Sequence, residues 1–284
     1  MRFRVILASS LLVCAASLLN AHDLFIKLET YFLTPHSSVT IPILNGSFIH
    51  SGNAIMRDRV TDISLVSSSG WTHVDTTAWA GDTNFADTTY LTIETGDPGT
   101  YIVGASTRPR DLGLAAADFN EYLEHDGIPD VLEARRANGE LGKDVRERYA
   151  KHIKAVLQVG GKVDEPRAWW RFWQRKDPPY LVRLGYPAEI VPLVNPYSLT
   201  AGEEFSFLCL VDGEPVANQL VILGGEQGGA LVEEVRKRTD EEGRIAFVID
   251  LPGKWYIEFI NMVPSPEEGV DYESKWATLA FEVR

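Results

Sequence analysis

His22 and Asp23 are the residues whose types and position hold the most chemistry. The first 21 residues carry Arg2 and Arg4, an apolar run from Val5 to about Leu19, and small residues at its end, the pattern of a secretory signal peptide. The run is shorter than the roughly 20 residues a membrane-spanning helix needs, and no basic stop-transfer flank follows it. Cleavage after Ala21, within Leu19-Asn20-Ala21, makes His22 the first residue of the mature chain. The α-amine and imidazole of one N-terminal histidine can then chelate a single ion. A second imidazole completes a T-shaped nitrogen set suited to Cu(II), Ni(II) or related metals, and Asp23 adds a carboxylate beside it. Candidates for that second imidazole are His36, His50 and His73, with His50 favoured because it lies in the polar loop from Phe48 to Asn53. The plainer alternative is that these are surface histidines and that His22 is only where cleavage falls; a cut one or two residues away destroys the chelate.

Other chemistry is excluded more firmly. There is no Gly-x-Ser-x-Gly elbow, no His-Glu-x-x-His pair and no phosphate-binding Gly-Lys loop. The cluster Gly224-Gly225-Glu226-Gln227-Gly228-Gly229 lacks a lysine and reads as a hairpin. Carboxylates are many, but spacing marks none of them as a catalytic pair. The formal charge of −13 becomes −15 when Arg2 and Arg4 leave with the leader, so phosphate backbones are repelled while cations are not. Of the two cysteines, Cys14 leaves with the leader unless it is lipidated, a fate that Val13 before it disfavours. Cys209, within the apolar run Phe205 to Val211, is then a small core residue with no disulfide partner.

The elements that must position these residues are mainly strands. Short β-rich runs with Gly, Pro, Asn and Asp between them extend from Leu24 to about Thr107, and seven more fill Glu189 to Arg284. Between them, Phe119, Tyr122 and Leu123 have helical spacing, with Asp118 and Glu121 resembling a cap. Val145, Tyr149, His152, Ile153, Val156 and Leu157 form the stripe of an amphipathic helix that Gly160-Gly161 would stop. On this reading His152 packs on the apolar stripe and His125 sits at a helix end. The expected fold is mainly β, with two immunoglobulin-like or transthyretin-like sandwich modules and a helical insertion between them. Its divisions are a signal peptide over 1–21, an N-terminal sandwich over 22–110, a helical insertion with a Trp-rich linker over 111–180, and a C-terminal sandwich over 181–284. The linker sets Trp169, Trp170 and Trp173 among Arg167, Arg171, Arg175 and Lys176, either as aromatics folded onto the sandwiches or as an exposed docking patch. A Pro-Gly turn before an aromatic strand recurs at Pro98-Gly99 and Pro252-Gly253, a faint echo between the two β regions.

Five segments in order resemble one bacterial family: Ala21-His22-Asp23-Leu24-Phe25, Leu44-Asn45-Gly46-Ser47-Phe48, Arg148-Tyr149-Ala150-Lys151-His152-Ile153-Lys154-Ala155, Glu189-Ile190-Val191-Pro192-Leu193, and Trp276 to Val283. The chain is similar over nearly its whole mature length to the domain-of-unknown-function 4198 family, whose members are often described as periplasmic proteins of nickel or cobalt uptake. The resemblance implies an exported protein with a His-Asp start and a link to transition-metal uptake, often beside outer-membrane transport, and the partner expected for this chain is an outer- or inner-membrane transport component. Many members carry a histidine just before the Glu-Ile-Val-Pro strand, where this chain has Gly185-Tyr186-Pro187 and Tyr186 offers at most a phenol oxygen. The leading expectation is a periplasmic, non-catalytic protein that binds or delivers nickel, cobalt or copper through His22, Asp23 and His50. The rivals are a metal-free envelope adaptor or carbohydrate-associated sandwich acting through the tryptophan segment, and a copper oxidoreductase with a histidine brace.

Overall fold

The computed structural model describes residues 23–81, 87–161 and 177–284. The expected leader with Cys14, the residue His22, and the segment bearing Trp169, Trp170 and Trp173 lie outside the described residues. Strands of four residues or more are β1 (Asp23–Ile26), β2 (Ser38–Ser47), β3 (Val60–Ser67), β4 (Gly70–His73), β5 (Thr89–Glu94), β6 (Gly99–Thr107), β7 (Arg110–Leu114), β8 (Val145–Val159), β9 (Ala188–Pro192), β10 (Glu204–Val211), β11 (Leu220–Gln227), β12 (Val235–Arg238), β13 (Arg244–Val248), β14 (Gly253–Pro264) and β15 (Tyr272–Val283). Helices α1 (Ala116–His125) and α2 (Pro129–Ala137) lie between β7 and β8. The chain is therefore mainly β with helices between two β-rich regions.

One long sheet joins those regions in the order β11-β14-β15-β8-β6-β3-β4, while β1-β2-β5 and β9-β10-β13 form two smaller sheets. The smaller sheets cover opposite faces of the long one. Successive side chains of a strand point to opposite faces, and along β8 this sends Lys151 toward β1 and α1 and Lys154 toward β9. Residues of all three sheets form one continuous buried cluster, in which Phe205 of β10 stacks 5.8 Å from Phe281 of β15 and Phe25 of β1 lies 4.8 Å from Tyr256 of β14. Each such ring removed from water contributes about 1.5–3 kcal/mol.

The helical expectation for Val145 to Leu157 is corrected: this segment is β8, a strand of 15 residues at the centre of the long sheet. It pairs in parallel with β15, Lys151 opposite Trp276, and antiparallel with β6 and β7. From Ala150 to Val159 it is buried on both faces, so its sequence lacks the polar alternation of a half-exposed strand. The helical insertion is confined to α1 and α2. Helix α1 does bury Phe119, Tyr122 and Leu123, but Asp118 falls in its first turn rather than at its cap. The backbone N–H of Ala116 instead donates to Oδ1 of Asp144, 3.0 Å away. Pro129 starts α2, where its missing N–H costs nothing.

The strand β9 is locked to β8 by a buried ion pair, with Lys154 Nζ 2.7 Å from Glu189 Oε1 and both side chains almost fully enclosed. Glu189 also accepts from the N–H groups of Leu184 and Gly185, at 2.6 and 3.0 Å. Burial pushes the Lys154 ammonium pKa down, and the Glu189 charge opposes that shift. Cys209 is buried in β10, as its apolar setting implies.

Candidate metal centre

Asp23 opens β1 opposite Gly46 of β2. The start of the strand is fixed to the long sheet by Thr278 of β15, whose hydroxyl donates to the carbonyl of Leu24 at 2.8 Å. Thr278 stands across from Glu258 on β14 and from Ile153 on β8, so Glu258 and Lys151 reach the face on which β1 lies. The C-cap of α1, Asp126, closes the same region. Its neighbour His125 is held by Arg236, which donates to the His125 carbonyl at 2.8 Å and pairs with Glu234 at 3.2 Å. Glu234 in turn accepts from the Tyr256 hydroxyl at 3.2 Å.

The result is an acidic pocket in the electrostatic sense: the charges of Asp23, Asp126, Glu234 and Glu258 bear on one another, and Lys151 bears on Asp23 and Asp126. Burial raises the Asp23 carboxyl to about 7, with Lys151 opposing and Glu234 adding to the shift. Burial and then the Asp23 charge raise Asp126 to about 8. Glu258 is 8 % exposed and is pushed well above the carboxylate range by burial, then by Asp23, Glu234 and Asp126. Burial lowers Lys151 to about 8 against the pull of Asp23 and Asp126. Glu258 Oε2 and Asp126 Oδ2 are both buried without a hydrogen-bond partner among the described residues. Buried carboxylate oxygens are normally satisfied, so two orphans among like charges leave acceptor capacity that a proton or a cation can fill. Among the described residues no three His, Cys, Asp or Glu side chains are grouped to hold a metal ion by themselves.

A model of the family described as domain of unknown function (DUF4198) matches residues 19–262. The chain belongs to this family. In this DUF4198 chain the histidines expected as second ligands are scattered. His36 sits in a turn at positive φ with Asp97 3.4 Å away, and both are exposed. His50 lies exposed opposite Ser47, one residue along β2 from Gly46, the partner of Asp23. It is near Asp23 in register, but the charges bearing on Asp23 are those of Lys151 and Glu234. His73 Nδ1 is bound 2.7 Å from Asp62 Oδ1, away from the acidic pocket. Asp126, Glu234, Glu258 and Lys151 were not singled out by spacing. The one sequence signal was Glu258 itself, a lone charge inside the apolar run Trp255 to Ile260.

On the other face of β8 the DUF4198 chain has a cavity of about 560 Å³ lined by residues including Asp62, Trp71, His73, Arg108, His152 and Tyr186. Tyr186, which stands near where the family resemblance leads one to look for a histidine, donates its hydroxyl to Asp62 Oδ2 at 2.7 Å. His152 is packed, as its place among apolar residues implies, with Nδ1 2.9 Å from Ser106 Oγ and Nε2 buried and without a partner among the described residues. No curated protein matches the chain. Among solved structures it is similar to the D0-D1 domain of intimin (12% identity, 91% of this chain and 97% of that one, TM-score 0.22) and to a titin A168169 fragment (10%, 91% and 96%, 0.18). It is also similar to the Escherichia coli alpha-2-macroglobulin activated by porcine elastase (10%, TM-score 0.23), with 93% of this chain aligned but only 20% of that one spanned.

Proposed function

We propose that this DUF4198 protein is an exported, non-catalytic binding protein that holds a transition metal ion, nickel, cobalt or copper, at its mature N-terminus and delivers it to a membrane transport component. The observation that carries the reading is the unpartnered oxygen of Glu258, buried among Asp23, Asp126 and Glu234. Like charges placed together in a dry site repel one another, and a divalent cation replaces the protons that otherwise relieve them. The donors fit. His22, next in the chain to Asp23, brings an α-amine and an imidazole after cleavage, and Asp23 with Glu258 brings oxygen, a mixed set suited to Ni(II), Co(II) and Cu(II). Lys151, bearing on Asp23 and Asp126, and Arg236, bearing on Asp126 and Glu258, are the resident cations with which the ion competes, so binding drives off protons and is favoured by rising pH.

The test is the intact mass of the exported protein followed by calorimetric titration of that sample with Ni(II), Co(II) and Cu(II). The reading expects a chain starting at His22 that binds one ion. Affinity should fall at least tenfold in Glu258→Gln, in His22→Ala, and in a form with one glycine inserted before His22. His50→Ala measures whether a second imidazole takes part. Affinity unchanged by both the inserted glycine and Glu258→Gln, or no binding at all, overturns the proposal.

A further inference from the structure

We propose that the cavity between β8 and the Leu184–Pro187 segment binds a small aromatic carboxylate. This site is separate from the acidic pocket, being on the opposite face of the long sheet. Its floor exists because β6 has glycine at 104: a Cβ there would run into Leu184, with the Tyr186 hydroxyl 3.1 Å away. Its polar groups sort into those already satisfied and those left open. Asp62 is satisfied, accepting from Ser64 Oγ at 2.6 Å, Tyr186 at 2.7 Å and His73 at 2.7 Å. Arg148 is held by Asp111 and Glu267, and Lys275 by Asp212. No ligand charge is needed by any of these.

Among the described residues the lining leaves open one buried donor and one charged side chain that a ligand anion can meet. His152 is 2 % exposed, lines the cavity, and its Nε2 has no partner among the described residues. If its Nδ1 donated to Ser106, both the Ser106 hydroxyl proton and the Nε2 lone pair would go unmet. If Ser106 donates to Nδ1, only the Nε2–H is unmet, so the ring presents a buried donor. Burial favours the neutral ring, which this tautomer needs. At the rim, the guanidinium of Arg108 is exposed and has no ion pair or hydrogen bond among the described residues. An unmet donor inside and an unpaired guanidinium outside fit a carboxylate, which accepts at both oxygens. Trp71 supplies a flat wall: its indole N–H is fixed on Ser64 Oγ at 2.9 Å while the ring stays 45 % exposed. A cavity of about 560 Å³ accommodates one or two fused rings.

The experiment is calorimetric titration of the full mature protein with 2-naphthoate and with its uncharged analogue 2-naphthylmethanol. Saturable binding of 2-naphthoate is expected, weakened about tenfold or more in Arg108→Gln. Trp71→Ala, also at an exposed position, should weaken both compounds, and 2-naphthylmethanol should bind the wild type more weakly than 2-naphthoate. Absence of 2-naphthoate binding at millimolar concentration, affinity unchanged in both variants, or equal affinity for the uncharged analogue overturns the proposal. Loss of metal affinity in Glu258→Gln tests the other site and does not bear on this one.

Discussion

His152 should make the protein lose stability in mild acid by an amount that can be isolated with a single substitution. Burial lowers the folded-state pKa of its imidazole to about 4, with the Lys275 charge adding to the shift and Asp212 opposing it. In the unfolded chain the ring titrates near its ordinary 6.5. Above that pH both states hold the ring neutral and it contributes nothing. As pH falls below it, the unfolded chain takes up a proton that the folded chain refuses, and stability drops until the folded ring itself titrates. Integrated from about pH 7.5 to about pH 4.5, the difference in proton affinity removes about 2–3 kcal/mol. The raised carboxyls Asp23, Asp126 and Glu258 act with the opposite sign over the same range, because the folded chain binds their protons more tightly. They cancel in a comparison of wild type with His152→Gln, which keeps a polar group near Ser106 but does not titrate. Urea unfolding of both proteins at the two pH values gives the difference directly. The wild type should lose about 2–3 kcal/mol relative to the variant on going to the lower pH. A gap that stays constant to within about 0.5 kcal/mol would refute a buried neutral imidazole.

Lys154→Met should destabilise the protein by about 3–5 kcal/mol in urea unfolding, because it leaves the Glu189 carboxylate enclosed with only two backbone donors. Glu258→Gln should stabilise the metal-free protein by about 1–2 kcal/mol above pH 8, where the buried charge is most costly. Since the Glu258 carboxyl is raised on folding, that gain should vanish as pH falls toward its unfolded value, and a flat gain across pH would count against the acidic pocket. Cys209 should resist a thiol reagent in the folded protein and react on unfolding, since burial pushes its thiol up out of the reactive range; labelling monitored by mass at neutral pH checks this.

The β class was legible because turn residues punctuate short apolar runs, and turn chemistry is local. Gly228-Gly229 closes a hairpin between β11 and the Ala230–Leu231 bridge, as glycines at positive φ permit. The candidate site was not legible, because no local pattern announces it. Asp23, Asp126, Glu234 and Glu258 come from four separate stretches of the chain, Glu234 from the loop just before β12, and only the pairing of β12, β11, β14, β15 and β8 and the cap of α1 bring them together.

The misreading of β8 concealed both sites at once, for a reason the strand makes plain. Val145, Tyr149, Ile153 and Leu157 are four residues apart, a spacing that keeps one face on a strand as well as on a helix. His152 and Val156 supplied the helical impression, yet they belong to the other face of the strand. A helix would set Lys151 and His152 about 100° apart around its axis. The strand turns them back to back, so that Lys151 joins the acidic pocket with Asp23 and His152 enters the cavity with Trp71 and Arg108. Where both faces of a strand are buried, the alternation that would separate the two periods is erased, and only the neighbouring strands decide between them.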